Sequence, residues 1–264
     1  TTRLLGHSVI TPGQDGWMDE VDRAISELKP NSWKSYTIGD PLSPSKYPWR
    51  LDDEKLMYPF YEKAVKAYRN GGPKPVICIH KGLLPPDYET SFKGVWQYAT
   101  VDDVPKAAQD WPEMNFVIYH SALRPFLELP DQAWNEFEES GGYIKWSSDL
   151  AAIPEKYGVS NVYAEIGSTF ANSAVAHPRF CAAFISTLVK GMGADHVVWG
   201  TDTVWYGSPQ WQIEAFRRFQ IPKEMQEKFG YAAISDQDKA KILGLNAAKL
   251  YGIDVDERRE QILT

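Results

Sequence analysis

The chain has 264 residues, 43% of them apolar and 24% charged, the composition of a globular protein long enough to bury a sizeable core. Twenty-eight basic side chains stand against 35 acidic ones, a net charge of −7 without a basic cluster, which argues against nucleic acid or an anionic membrane as partner. No apolar run approaches the ~20 residues that span a bilayer and residues 1–30 lack a signal-peptide pattern, so a soluble chain, cytoplasmic by default, is expected.

In chain order, six short apolar or β-branched runs read as strands: residues 4–10, 33–38, 75–80, 116–120, 162–166 and 196–200. Each is continuous rather than alternating, the pattern of strands covered on both faces. Amphipathic stretches read as helices over 17–28, 53–68, 101–108, 131–140, 178–190, 210–219 and 236–251. Pro178 fits the first position of its helix, Gly191 its C-cap, and Ser235 with Asp238 a capping box. The Pro/Ser-rich segment 40–49 reads as an ordered loop rather than a linker. Cys78 and Cys181, too few for a disulfide framework or a metal knuckle, read as buried thiols.

One βα unit every ~40 residues, with no linker, predicts a (β/α)8 TIM-barrel type of α/β fold rather than a doubly wound sheet. Residues 1–252 form its single domain, and 253–264 form a polar tail whose charged part, 254–260, frays. A complete barrel has eight strands and about six are legible, so the chain reads as N-terminally truncated.

Barrel enzymes carry their chemistry at the C-terminal ends of strands. Two runs, VICIH (76–80) and FVIYH (116–120), end in histidine, and VVWGTD (197–202) ends in aspartate. A lone strand-end histidine reads as a core residue satisfied by a carbonyl; three coincident polar ends favour a site. Two imidazoles and a carboxylate suit a divalent ion, zinc first, whose bound water ionises near neutrality and supplies hydroxide without a serine or cysteine nucleophile. GxxxxGK[ST], GxSxG and HExxH are all absent.

With VICIHKG (76–82), FVIYHSA (116–122), VYAEIGS (162–168), VVWGTD (197–202) and ILGLNAAKLYG (242–252), the sequence resembles the amidohydrolase superfamily, in its amidohydrolase-related branch of metal-dependent barrel hydrolases and decarboxylases. The resemblance implies that His80 is the fifth-strand metal ligand, His120 the sixth-strand histidine binding metal or water, and Asp202 the eighth-strand ligand and proton acceptor. Lys34 falls where some members carry a carboxylated lysine; the alternative is a lysine paired with a carboxylate at the barrel mouth. The family's first-strand His-x-His pair is missing, His7 standing alone. Taking 4–10 as the third strand places that pair upstream of Thr1.

Glu165 reads either as a partner of the site or as an acid satisfied near Lys34 or Arg124, His177 as a helix cap or a functional residue, and His196 as structural. The loops expected to crown the barrel carry Lys81, Phe92, Trp96, Arg124, Trp146, Trp205, Tyr206 and Trp211. Aromatic walls with isolated cations suit a small cyclic or aromatic substrate bearing a carboxylate, with Lys81 or Arg124 pairing to it and Trp205 and Tyr206 stacking. A homo-oligomer is compatible with so many aromatics. The expected reaction is hydrolysis of an amide, ester or lactone by metal-activated water; nonoxidative decarboxylation on the same ligands is the alternative. A non-catalytic remnant that binds a ligand or partner is a third reading.

Overall fold

The computed structural model describes residues 4–40, 43–68, 72–124 and 130–263. Strands β1 (His7–Val9), β2 (Ser32–Tyr36), β5 (Val76–His80), β6 (Asn115–Tyr119), β7 (Val162–Glu165) and β8 (Val197–Val198) form one parallel sheet in that order. Two short strands, β3 (Gly39–Asp40) and β4 (Ser43–Pro44), pair antiparallel beside it. They overlap the start of the 40–49 segment, of which Pro41 and Leu42 fall outside the described residues. The six runs read as strands are therefore the six strands of the sheet, trimmed at their ends. β1 and β8 have one strand neighbour each among the described residues.

Period-two alternation explains why the strands read as continuously apolar. Ile77, Ile79, Phe116 and Ile118 face the large core that the helices cover, whereas Val76, Cys78, Val117 and Val198 meet Leu250 in a small cluster on the other face. Register sets Lys34 opposite Cys78 and Cys78 opposite Val117 along that second face. Two residues on, the same face carries Tyr36, His80 and Tyr119. The inner face thus becomes more polar toward the strands' C-terminal ends.

The helix Pro178–Met192 buries ten of its residues and packs against Ser147–Tyr157. Gly191, expected to cap it, lies inside it. A Cβ there would stand 2.5 Å from the Ala151 carbonyl oxygen, so this glycine permits close helix packing, and the cap is Gly193 at φ 79°. His177 accepts the Phe180 N–H through Nδ1 (3.0 Å), the capping role weighed for it. Ser235 and Asp238 complete the capping box. Where a fraying tail was expected, Val255–Leu263 is a polar, largely exposed helix. Both cysteines are free and buried. No described helix is long and apolar enough to cross a membrane.

Candidate active site

The strand ends converge. His80 closes β5, His120 follows β6, Glu165 closes β7 and Asp202 lies four residues beyond β8. His80, His120 and Asp202 line one cavity of about 880 Å³ together with Lys34, Tyr36, Tyr119, Ser168, Trp205 and Tyr206. His120 Nε2 is 3.1 Å from His80 Nδ1, and its Nδ1 is 3.7 Å from Asp202 Oδ2. Ser168 Oγ donates to the same aspartate oxygen at 2.5 Å.

The hydrogen bonds fix the tautomers. His120 Nδ1 lies 2.8 Å from the Gly167 carbonyl oxygen, which only accepts, so Nδ1 carries the proton and Nε2 presents its lone pair. His80 Nδ1 then donates to that lone pair, which leaves His80 Nε2 bare and buried, without a hydrogen-bond partner among the described residues. Burial holds both imidazoles below their ordinary pKa; at His80 the neighbouring His120 and Lys34 push in the same direction. The pair is neutral at physiological pH and ends in a base.

Glu165 holds this arrangement from beneath. Its Oε2 accepts the His120 N–H (3.0 Å), its Oε1 the Gly167 N–H (2.7 Å), and its backbone carbonyl the Ser121 hydroxyl (2.9 Å). These bonds grip a strained turn, since His120, Ser121 and Ala122 all have positive φ (60°, 48° and 51°), at a cost of about 1–2 kcal/mol per residue. Gly82 fits against the turn because it has no side chain: a Cβ would stand 2.5 Å from Ala122 C. Burial pushes the Glu165 carboxyl up to about 7, against the downward pull of its backbone donor at His120. Gly200 makes the room, since a Cβ there would overlap Glu165 Oε1 at 1.5 Å. The motifs EIGS and WGTD are therefore two halves of one carboxylate pocket.

The expected substrate-binding residues divide. Trp205 and Tyr206 line the cavity, Trp205 being 77% exposed and Tyr206 held by the Asn172 amide (2.7 Å). Lys81 and Arg124 do not reach it. Lys81, 0% exposed, pairs with Asp103 at 2.8 Å and donates to the Tyr98 carbonyl. Arg124 is spent on Glu89 (2.5 Å) and on the carbonyls of Leu84, Pro85 and Pro86. Both correct the expectation for one reason: a desolvated cation must find an anion, and protein acids distant in sequence supply it. Phe92, Trp96 and Trp146 pack into the core, and Trp211 lies outside the cavity lining. His196 bonds the carbonyls of Met192 and Ser160, a structural role. Lys34 lines the cavity; Tyr36, Tyr119, Ser168 and Gly167 carried no sequence signal as site residues.

Both His120 nitrogens are committed to protein partners, which leaves His80 Nε2 and the Asp202 carboxylate as open donors. Two are one short of the three protein ligands of a catalytic zinc site. Among the described residues no group of three or more His, Cys, Asp or Glu is placed to hold a metal ion. The described residues therefore do not fit a tightly held divalent ion.

A parallel α/β sheet with polar groups gathered at its C-terminal edge is the arrangement that barrel-type active sites use. The sequence matches the Amidohydrolase family over residues 19–253, and the chain belongs to that family. Among solved structures it is similar to a 2,6-dihydroxybenzoate decarboxylase from Rhizobium (14% identity, TM-score 0.56, 95% of this chain and 71% of that one) and to a 2,6-dihydroxybenzoate decarboxylase complexed with 2,6-dihydroxybenzoate (15% identity, TM-score 0.56, 95% and 71%). A dihydroxybenzoic acid decarboxylase from Polaromonas sp. JS666, with bound manganese and 2-nitroresorcinol, is 15% identical at a TM-score of 0.51, over 89% of this chain and 65% of that one. A TIM-barrel protein from Bordetella bronchiseptica is 15% identical at 0.52, over 93% and 66%. These likenesses establish the fold. No curated protein matches the sequence.

Proposed function

We propose that the chain is a hydrolase-type enzyme acting on the ester or lactone carbonyl of a small cyclic or aromatic substrate, with Asp202 as the base that takes the proton of the attacking water. The observation that carries this reading is the state of the site's proton carriers. Asp202 is a carboxylate one-third exposed to the cavity, oriented by the Ser168 hydroxyl and flanked by His120. The histidine pair behind it ends in a bare nitrogen, and both rings resist protonation. Asp202 is thus placed to accept a proton, and neither neutral imidazole carries an extra one to give. Hydrolysis needs such an acceptor at its first step, whereas decarboxylation needs a proton delivered to a ring carbon.

In this reading the substrate ring lies between Trp205, Tyr206 and the tyrosines of the cavity floor. Asp202 draws a proton from a water positioned in the cavity, the oxygen attacks the carbonyl, and the proton returns to the departing alkoxide or phenoxide. An ester or lactone suits this machinery better than an amide, because its leaving group requires less assistance. No step is assigned to a metal ion, since the ligand set described above is one donor short.

A panel of aryl esters and ring lactones bearing a carboxylate, run beside the matching aromatic carboxylic acids, tests the reading. Proton release from an ester or lactone is expected, falling about 10²–10⁴-fold in Asp202→Asn. Release of CO2 from the acids with no hydrolysis of the esters would overturn it in favour of decarboxylation.

A further inference from the structure

Among the described residues that line the cavity, Lys34 alone is a lysine or arginine, and no described protein group pairs with it. Its Nζ is buried and has no hydrogen-bond partner. It stands 3.8 Å from the centre of the Tyr119 ring and 4.6 Å from that of Tyr36. Neither nearby carboxylate bonds it: both Glu165 oxygens accept backbone N–H groups, and Asp202 Oδ2 takes the Ser168 hydroxyl. Lys81 and Arg124 show what this protein otherwise does with a buried cation, which is to give it a carboxylate. Lys34 is the exception, and it is the one that lines the cavity.

We propose that Lys34 is the anion-binding residue of the cavity, holding the carboxylate of a planar cyclic acid against Tyr36 and Tyr119. Aromatic rings partly stabilise a buried ammonium but leave its hydrogen-bonding capacity unused. A ligand carboxylate supplies the missing acceptor and opposite charge together. The tyrosines, with Leu83, Pro85, Trp205 and Tyr206, give the ring of the same ligand flat apolar surfaces. Charge separates a carboxylate from a phosphate. One ammonium shares the lining with the carboxylates of Asp40 and Asp202, so a dianion is repelled more strongly than a monoanion. Burial pushes Lys34 down to about 8, so it still carries its proton at neutral pH. The proposal rests on the reading of the cavity as a site for cyclic substrates, and it adds the group by which they are held.

Binding can be measured without turnover, so this proposal and the hydrolase reading fail separately. Benzoate, benzamide and inorganic phosphate are titrated calorimetrically into the wild-type chain and Lys34→Met at pH 7, with thermal melts to confirm that the variant folds. Wild type is expected to bind benzoate at least tenfold more tightly than benzamide. Lys34→Met is expected to bring that ratio to about one while binding benzamide within threefold of wild type. A preference for benzoate that survives in Lys34→Met, or the lack of one in wild type, would overturn the proposal. Phosphate binding tighter than benzoate would overturn the choice of a carboxylate.

Discussion

At the scale of single residues, two buried ionisable groups, Lys34 and Glu165, carry the account. Burial lowers Lys34 from the lysine value of 10.5 to about 8, despite the pull of Cys78, Glu165 and Asp202 in the other direction. Below pH 8 the folded and unfolded chains both hold the proton, and the folded one bears the whole cost of the buried charge. Between pH 8 and 10.5 the unfolded chain binds more protons, so folding gains stability as the pH rises. Lys34→Met should therefore be more stable than wild type by about 3 kcal/mol at pH 7, the gain vanishing above pH ~10.5, as read from urea unfolding at several pH values. Unchanged stability would mean that the ammonium is solvated. The same titration bears on binding: benzoate affinity should be flat below pH 8 and fall about tenfold per pH unit above it, while benzamide affinity stays constant.

Glu165 acts through its neighbours. Its two oxygens hold the His120 and Gly167 N–H groups, so Glu165→Gln must turn an amide N–H toward one of those donors. Loosening the strained turn should misplace His120 without emptying the cavity. The expected result is at least a tenfold loss of kcat with KM within threefold, and Gly200→Ala, whose new methyl would overlap Glu165 Oε1, should show the same split. A rise in KM alone would assign Glu165 to substrate binding instead.

At the scale of elements, the sequence shows strands more readily than it shows partners. The runs ending in His80 and His120 were legible because both faces of β5 and β6 are covered. The helix Ser147–Tyr157 was not, because Pro154 sits in its interior and reads as a breaker. Lys81 and Arg124 looked like free cations because their acids, Asp103 and Glu89, lie far along the chain. Nothing in local composition reports such a pairing. The Lys81–Asp103 pair also ties the loop after β5 to Leu51, whose N–H Asp103 accepts at 2.9 Å. Asp103→Ala leaves a buried ammonium unpaired and should cost about 3–5 kcal/mol in denaturant unfolding. A cost below about 1 kcal/mol would show that solvent reaches the pair.

At the scale of the whole molecule, parallel strands aim their C-terminal ends in one direction, and that topology brings five separate sequence positions to one end of the sheet, four of them lining the cavity. Lys34, His80, His120, Glu165 and Asp202 are spread over 168 residues of sequence, yet the two histidines touch and Asp202 stands beside them. The strand-end rule singles out His80, His120 and Asp202, and the three line one cavity. It could not find the role of Ser168 or the Gly167 carbonyl, because their contributions depend on how the turns after β7 and β8 meet. Nor could it reveal that His120 spends both ring nitrogens on protein partners.

The proposed reaction requires water as the nucleophile and Asp202 as its base. Isotope tracing tests this most directly: a carboxylate-bearing lactone is turned over in H2 18O, and the product is weighed by mass spectrometry. One 18O per turnover in the newly formed carboxylate, at a rate reduced at least 100-fold in Asp202→Asn, is the predicted result. Unlabelled product, or labelling at an unchanged rate in Asp202→Asn, would contradict it.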